Sequence, residues 1–195
     1  MEHAERPITT RETVLLIADA VGDPVPGRTV MQKLAYFASI GLGTTLGHRA
    51  YYYGPYSSKI EDALSVASVA GELHETVERL PDWSGGPDIL KYTYALTDDG
   101  RRKAEQVIAE APGQWDRISY AVHSIRATVP DFNQKMLSSA AKTYLIISDS
   151  PEETSEEDIP ELASRLGWTL TAEQVTQTVD LLQRLGLVVD DDADD

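Results

Sequence analysis

Between Pro24 and Ile60 the chain contains no Asp or Glu, although acids make up 32 of its 195 residues. The same window carries Arg28, Lys33, His48, Arg49 and Lys59, interleaved with Tyr51, Tyr52, Tyr53 and Tyr56. Cations set among tyrosines, with no carboxylate to neutralise them, are suited to an anionic partner. Guanidinium and ammonium groups pair with phosphates or carboxylates, and tyrosines add flat, amphipathic contact area. The Ser57 and Ser58 hydroxyls, with the free N–H groups of a helix that starts there, would add donors. A window that is mostly core, with Tyr51 and Tyr53 buried, would also be poor in acids. Both readings stay open at this point.

Other chemistry is poorly supported. His3, His48, His74 and His123 are scattered without the spacing of a metal site, and there is no cysteine. Asp98-Asp99 falls at an expected helix start, where acids complement the helix dipole. Gly41-Leu42-Gly43-Thr44-Thr45-Leu46-Gly47 lacks the lysine-serine ending of a phosphate loop and follows a helix, so it reads as a turn. No nucleophile stands beside an evident base. The expectation is a non-enzymatic binding protein with no catalytic residue, no metal and no cofactor.

The formal charge of −15 argues at first against nucleic acid, but its distribution matters more. Residues 148–195 hold 14 acidic and 2 basic side chains, ending in Asp190-Asp191-Asp192-Ala193-Asp194-Asp195, whereas residues 1–147 are nearly balanced. Adaptation to high salt would spread acid over every surface, so an acidic last quarter explains the figure better. At 42% hydrophobic and 25% charged the composition is that of a globular chain. No apolar run approaches the ~20 residues of a membrane helix and no signal peptide opens the chain, so no membrane partner and a cytoplasmic location are expected.

The elements that must position these residues follow from caps, breakers and periodicity. Thr9-Thr10-Arg11-Glu12 is a capping box opening a helix that buries Val14, Leu15, Ile17, Ala18 and Val21. The breakers of 22–27 end it, and a second helix runs from Arg28 to Ile40. Arg49–Tyr53 favours a strand, with Tyr51 and Tyr53 on one side and Tyr52 on the other. Ser58-Lys59-Ile60-Glu61 reads as a capping box for a third helix to Ala70. Strands near Glu72–Leu80 and Ile89–Leu96 flank a hairpin tip that carries Trp83. A helix from Thr97 to Glu110 follows, then helices at Gln114–Thr128 and Asp131–Ser148, with Asp131 as N-cap. Asp158-Ile159-Pro160-Glu161 and Thr171-Ala172-Glu173-Gln174 open two more, and Leu185–Val189 is expected to turn into a strand.

Three helices followed by a two-strand ribbon is the order of a winged helix-turn-helix. The fold class is therefore mainly α with small β-ribbons. Its parts are a winged helix-turn-helix at 1–112, a helical connector at 113–148, and a small acidic winged-helix-like unit at 149–195. Apolar stripes at 114–148 could form a homodimer seam.

Tyr94-Ala95-Leu96-Thr97-Asp98-Asp99-Gly100-Arg101 is similar to the wing junction of MarR- and PadR-like regulators. Gly27-Arg28-Thr29-Val30-Met31-Gln32-Lys33-Leu34-Ala35-Tyr36-Phe37, with Tyr51-Tyr52-Tyr53-Gly54-Pro55-Tyr56-Ser57, resembles a poorly characterised bacterial and archaeal winged-helix family. That family has a Gln-Lys-Leu helix and a Tyr-Gly-Pro-Tyr-Ser turn. More distantly it is similar to the Panacea antitoxin domain, from which Val30 and Tyr56 depart.

Two functions follow as expectations. One is a transcriptional regulator docking Arg28, Lys33, Arg49 and Lys59 on the phosphates of double-stranded DNA, with Gln32 or Ser58 nearest the base edges. The other is an antitoxin-like or adaptor module that holds an acidic protein on the same face. Tyr52, Tyr56 and Ser57 belong to that face in both, with Trp83 and Lys91 as wing contacts. Against base reading, residues 58–70 offer Glu61 and Asp62 but no Arg, Asn or Gln, and the ribbon is acidic.

Overall fold

Two capping boxes legible in the sequence anchor the ends of the computed structural model, which describes residues 5–22, 24–81, 86, 88–151 and 153–189. Thr9 and Glu12 exchange side-chain and backbone hydrogen bonds at the start of α1 (Thr10–Val21), and Thr171 and Gln174 do the same at α8 (Ala172–Arg184). Between them lie α2 (Arg28–Gly41), α3 (Ser58–Val69), β1 (Leu73–Leu80), β2 (Ile89–Leu96) and α4 (Asp98–Glu110). α5 (Pro112–Thr128), a short 3-10 turn at Pro130–Phe132, α6 (Gln134–Asp149) and α7 (Ile159–Arg165) complete the order. The described chain is mainly helical, with one two-stranded antiparallel sheet.

β1 and β2 pair in register from Leu73 opposite Leu96 to Leu80 opposite Ile89. Only the base of this ribbon enters the core, where Leu73 and Tyr94 are buried. Val25 adds a further bridge to Tyr94, tying the α1–α2 loop to the ribbon. At this same end the junction into α4 has a clear physical basis. Thr97 caps the helix by accepting from the Gly100 N–H, while its own N–H and hydroxyl reach back to the Glu72 and Gly71 carbonyls. A Cβ at Gly100 would sit 2.0 Å from the Glu72 carbonyl oxygen, so only glycine lets the first turn of α4 approach the start of β1.

α2 is the central element. Every residue from Val30 to Ser39 is buried, Gln32 and Lys33 included. α1, α5 and α6 pack around it. α5 directs Ile118, Val122 and Ile125 inward, and α6 buries Leu137, Ala140, Ala141, Leu145 and Ile146. These apolar positions pack within the chain. α8 closes on α6, with the Thr143 and Thr178 hydroxyls 2.9 Å apart in the contact. The apolar cluster is continuous from Val14 in α1 to Leu182 in α8.

Several local expectations need correction. Arg49–Tyr53 forms no strand: Arg49 bridges only to Tyr56, and Tyr51, Tyr52 and Tyr53 all face solvent, so the alternation of a strand does not apply. The residue before α3 is Ser57 and not Ser58, and its hydroxyl donates to the Leu46 carbonyl instead of capping the helix. Asn133, rather than Asp131, caps α6 by accepting from the Lys135 and Met136 N–H groups. Asp158 makes no side-chain cap at α7. Residues 187–189 form no strand, and among the described residues no helix is long and apolar enough to cross a membrane.

Candidate functional site

The segment from Arg49 to Ser57 is a tight turn whose backbone is clamped and whose tyrosines are free. Reciprocal N–H to carbonyl bonds of 2.9 Å between Arg49 and Tyr56 close it. Within it the Gly54 N–H donates to the Tyr51 carbonyl at 3.0 Å, with Gly54 at φ +97°, a conformation that favours glycine. α2 holds the turn from beneath. The Gln32 side-chain amide donates to the Ser57 carbonyl and accepts from the Ser57 N–H, both at 2.9 Å, as a neighbouring strand would. Lys33 Nζ donates to the Pro55 carbonyl at 2.8 Å.

α6 and the α7–α8 turn hold it from the side. Trp168 Nε1 donates to the Tyr51 carbonyl at 2.7 Å. A Cβ at Gly54 would meet Lys142 Cγ at 3.1 Å, the Ser138 carbonyl at 3.3 Å and Lys33 Cε at 3.5 Å, so the backbone approaches both helices closely. The Lys142 ammonium in turn lies 5.5 Å from the Trp168 ring centroid, within cation–π range.

On this rigid base Tyr51, Tyr52 and Tyr53 are 62%, 77% and 60% exposed. The Tyr51 ring lies 5.0 Å from that of Tyr56, and Tyr52 meets Tyr53 edge-on at 5.2 Å. The Tyr56 hydroxyl donates to Glu61, which pushes its own pKa up to about 12. Arg49, Ser58 and Lys59 are exposed beside the turn, and no ion pair engages Arg49 or Lys59 among the described residues.

The other expected contacts are placed differently. Gln32, Lys33 and Ser57 are buried: the Gln32 amide bonds the Ser57 backbone, one Lys33 N–H bonds the Pro55 carbonyl and the Ser57 hydroxyl bonds the Leu46 carbonyl, so Gln32 is not exposed to a base edge. Arg28 leans towards the ribbon: Nε donates to the Tyr94 hydroxyl at 2.8 Å, Nη2 lies 3.4 Å from Glu75, and the guanidinium stacks 4.0 Å from the Tyr92 ring centroid. Lys91 is exposed opposite Glu78. Trp83 lies outside the described residues. The outer face of α3 presents Glu61, Asp62, Ser65, Val66 and Val69, the last 90% exposed.

Two buried titratable groups lie under the turn. Burial, reinforced by the charge of Lys142, drives the Lys33 pKa down to about 7. His48 stands edge-on to Tyr36 with both ring nitrogens shut off from solvent and without hydrogen bonds. Burial lowers its pKa to about 4, against partial opposition from the nearby Gln32 carbonyl. No group of three or more His, Asp or Glu side chains is arranged to hold a metal among the described residues.

Trp168 was missed as a member of this site. The Leu166-Gly167-Trp168 phrase marks a turn, but nothing local says that it reaches 117 residues back to Tyr51. No protein-family model matches the chain, and no curated protein sequence matches it. The function is therefore argued from the site.

Proposed function

We propose that this protein is a non-enzymatic binding protein of winged-helix type, and that the tyrosine turn holds an acidic protein partner. The observation that carries the reading is the combination of exposed Tyr51, Tyr52 and Tyr53 with a backbone clamped by Gln32, Lys33 and Trp168. Large aromatic side chains on a preorganised backbone lose little entropy on binding and are the usual anchors of protein interfaces. Arg49 and Lys59 flank them without an acidic partner among the described residues, which selects for carboxylates on the other side. In a winged helix α3 would be the helix that approaches DNA, and its exposed face offers two acids and two valines. Antitoxin-like or adaptor roles belong to this class.

A DNA-binding transcriptional regulator is the second reading. Arg49, Ser58 and Lys59 favour it, because they cluster where the N-terminus of α3 would meet a phosphate. Affinity would then come from a few phosphate contacts and fall steeply with salt.

One set of measurements separates the two. Fluorescence anisotropy with duplex DNA across a range of salt is compared with affinity capture from the source cell. Both are run on the wild type, Tyr52→Ala and the double variant Arg49→Glu/Lys59→Glu. The protein reading expects no duplex binding even at low salt, and capture of an acidic protein that both variants lose. Salt-sensitive duplex binding that disappears in the charge-reversed variant, with capture unchanged, would overturn it in favour of the regulator.

A further inference from the structure

Beneath the tyrosine turn lies a half-open cavity of about 140 Å³ walled by Tyr51, Tyr53, Tyr56 and Leu64, with Arg28 and Lys33 also in its lining. Its size is close to that of a cavity of about 150 Å³ that holds one benzene molecule. Its walls are mainly apolar and aromatic, so a flat ring-sized body fits them. Its polar component is unusual. Lys33 is 2% exposed and makes a single hydrogen bond, to the Pro55 carbonyl, although an ammonium has three donors.

No carboxylate lies within ion-pair distance of that ammonium among the described residues. The charge that acts on it is that of another cation, Lys142. Glu61 also lines the cavity, but its carboxylate is engaged by the Tyr56 hydroxyl. Buried charges are ordinarily paired. Here two N–H donors of Lys33 stand beside an apolar pocket without a carboxylate paired to them among the described residues, whereas the Arg28 guanidinium in the same lining is held by Tyr94 and Glu75.

From this geometry we infer that the cavity is a binding site for a small aromatic carboxylate, with its ring against the tyrosines and Leu64 and its carboxylate on Lys33. Arg28 lines the same cavity with its charge already balanced by Glu75, so Lys33 carries the recognition. The site is independent of whatever the tyrosines hold on their outer faces. It is nevertheless coupled to them, because the ammonium that would take the carboxylate is the one that positions Pro55. A bound anion shares that donor with the turn.

The test is calorimetric titration of the full-length protein with benzoate and with its neutral isostere benzyl alcohol, followed in parallel by the ring proton resonances of the tyrosines. A charge-assisted hydrogen bond predicts that benzoate binds at least about tenfold more tightly than benzyl alcohol and shifts a small set of tyrosine resonances. Lys33→Met, checked for folding by circular dichroism, should reduce that preference to none. Equal binding of the two compounds to the wild type, or no tyrosine shift with either, overturns the assignment without any variant. Retention of the benzoate preference in folded Lys33→Met overturns it as well. Duplex binding or partner capture is read separately, so failure here leaves the proposed function standing.

Discussion

Lys33 is the residue at which stability and site geometry meet. Its amine binds a proton up to about pH 7 in the folded protein but up to 10.5 when exposed in the unfolded chain. Between those values the unfolded state holds more protons, so stability rises with pH across that window, and below pH 7 the full cost of burying the charge applies. At about 1.4 kcal/mol per pH unit the cost is of order 5 kcal/mol. Against it stands the bond to Pro55, whose loss leaves a carbonyl unpaired at about 1–3 kcal/mol. Lys33→Met is therefore expected to be more stable than the wild type near pH 6 and less stable near pH 10, as measured by urea unfolding. A difference that does not change with pH would refute this account of the burial. His48 acts in the same direction lower on the scale. Its folded pKa of about 4 lies below the 6.5 of an exposed imidazole, so stability drops as pH falls from about 6.5 to 4. His48→Phe should remove that slope while leaving the one above pH 7 intact.

Gly100 shows how an element boundary can override local propensity. It lies in a helix, where alanine would ordinarily be preferred by about 1 kcal/mol. The clash of a new Cβ with the Glu72 carbonyl at 2.0 Å outweighs that gain, because the obstacle is backbone fixed by Thr97 and the strand. Gly100→Ala should cost about 3 kcal/mol or more in urea unfolding, and a neutral or stabilising result would show that α4 can shift away from β1. This junction was legible in the sequence from its Thr-Asp-Asp-Gly phrase, as were the order of the helices around the β1–β2 ribbon, the Thr9 and Thr171 capping boxes and the buried stripe of α1. The tyrosine turn was only half legible. Tyr51-Tyr52-Tyr53 has the composition of a strand, but strand alternation requires a ladder, and the chain supplies only the Arg49–Tyr56 bridge. Gln32 and Lys33 read as contacts for an anionic partner because the turn that covers them comes more than 20 residues later. Periodicity identifies a face that must be covered; it does not name the cover. The same limit applies to α5 and α6, whose apolar stripes do not say that α1, α2 and α8 pack against them.

At the scale of the whole molecule the question is how a chain of charge −15 holds its acidic last quarter in place. The attachment is apolar: Ile159, Ala163, Trp168, Leu170, Val175, Leu181 and Leu182 are buried in the cluster that also contains α1 and α2. Trp168 adds a bond from this quarter to the tyrosine turn. Such burial is insensitive to salt, whereas repulsion among the 14 acids of residues 148–195 is screened by it. Raising salt from about 0.05 to 1 M should therefore raise the melting temperature by several degrees. Because the apolar cluster is continuous, unfolding should remain one cooperative transition, coincident by tryptophan fluorescence and far-ultraviolet circular dichroism at both salt concentrations. An early low-salt transition seen by one probe alone would mean that the last quarter detaches as a unit. The same continuity rules out a simple deletion as a test of the basic turn. Removing residues 149–195 would strip α8 from Thr143 and its apolar neighbours on α6 and take Trp168 from Tyr51, so loss of binding in that fragment would report a damaged turn. Charge reversal at Arg49 and Lys59, both exposed and away from the core, tests the surface without touching its support.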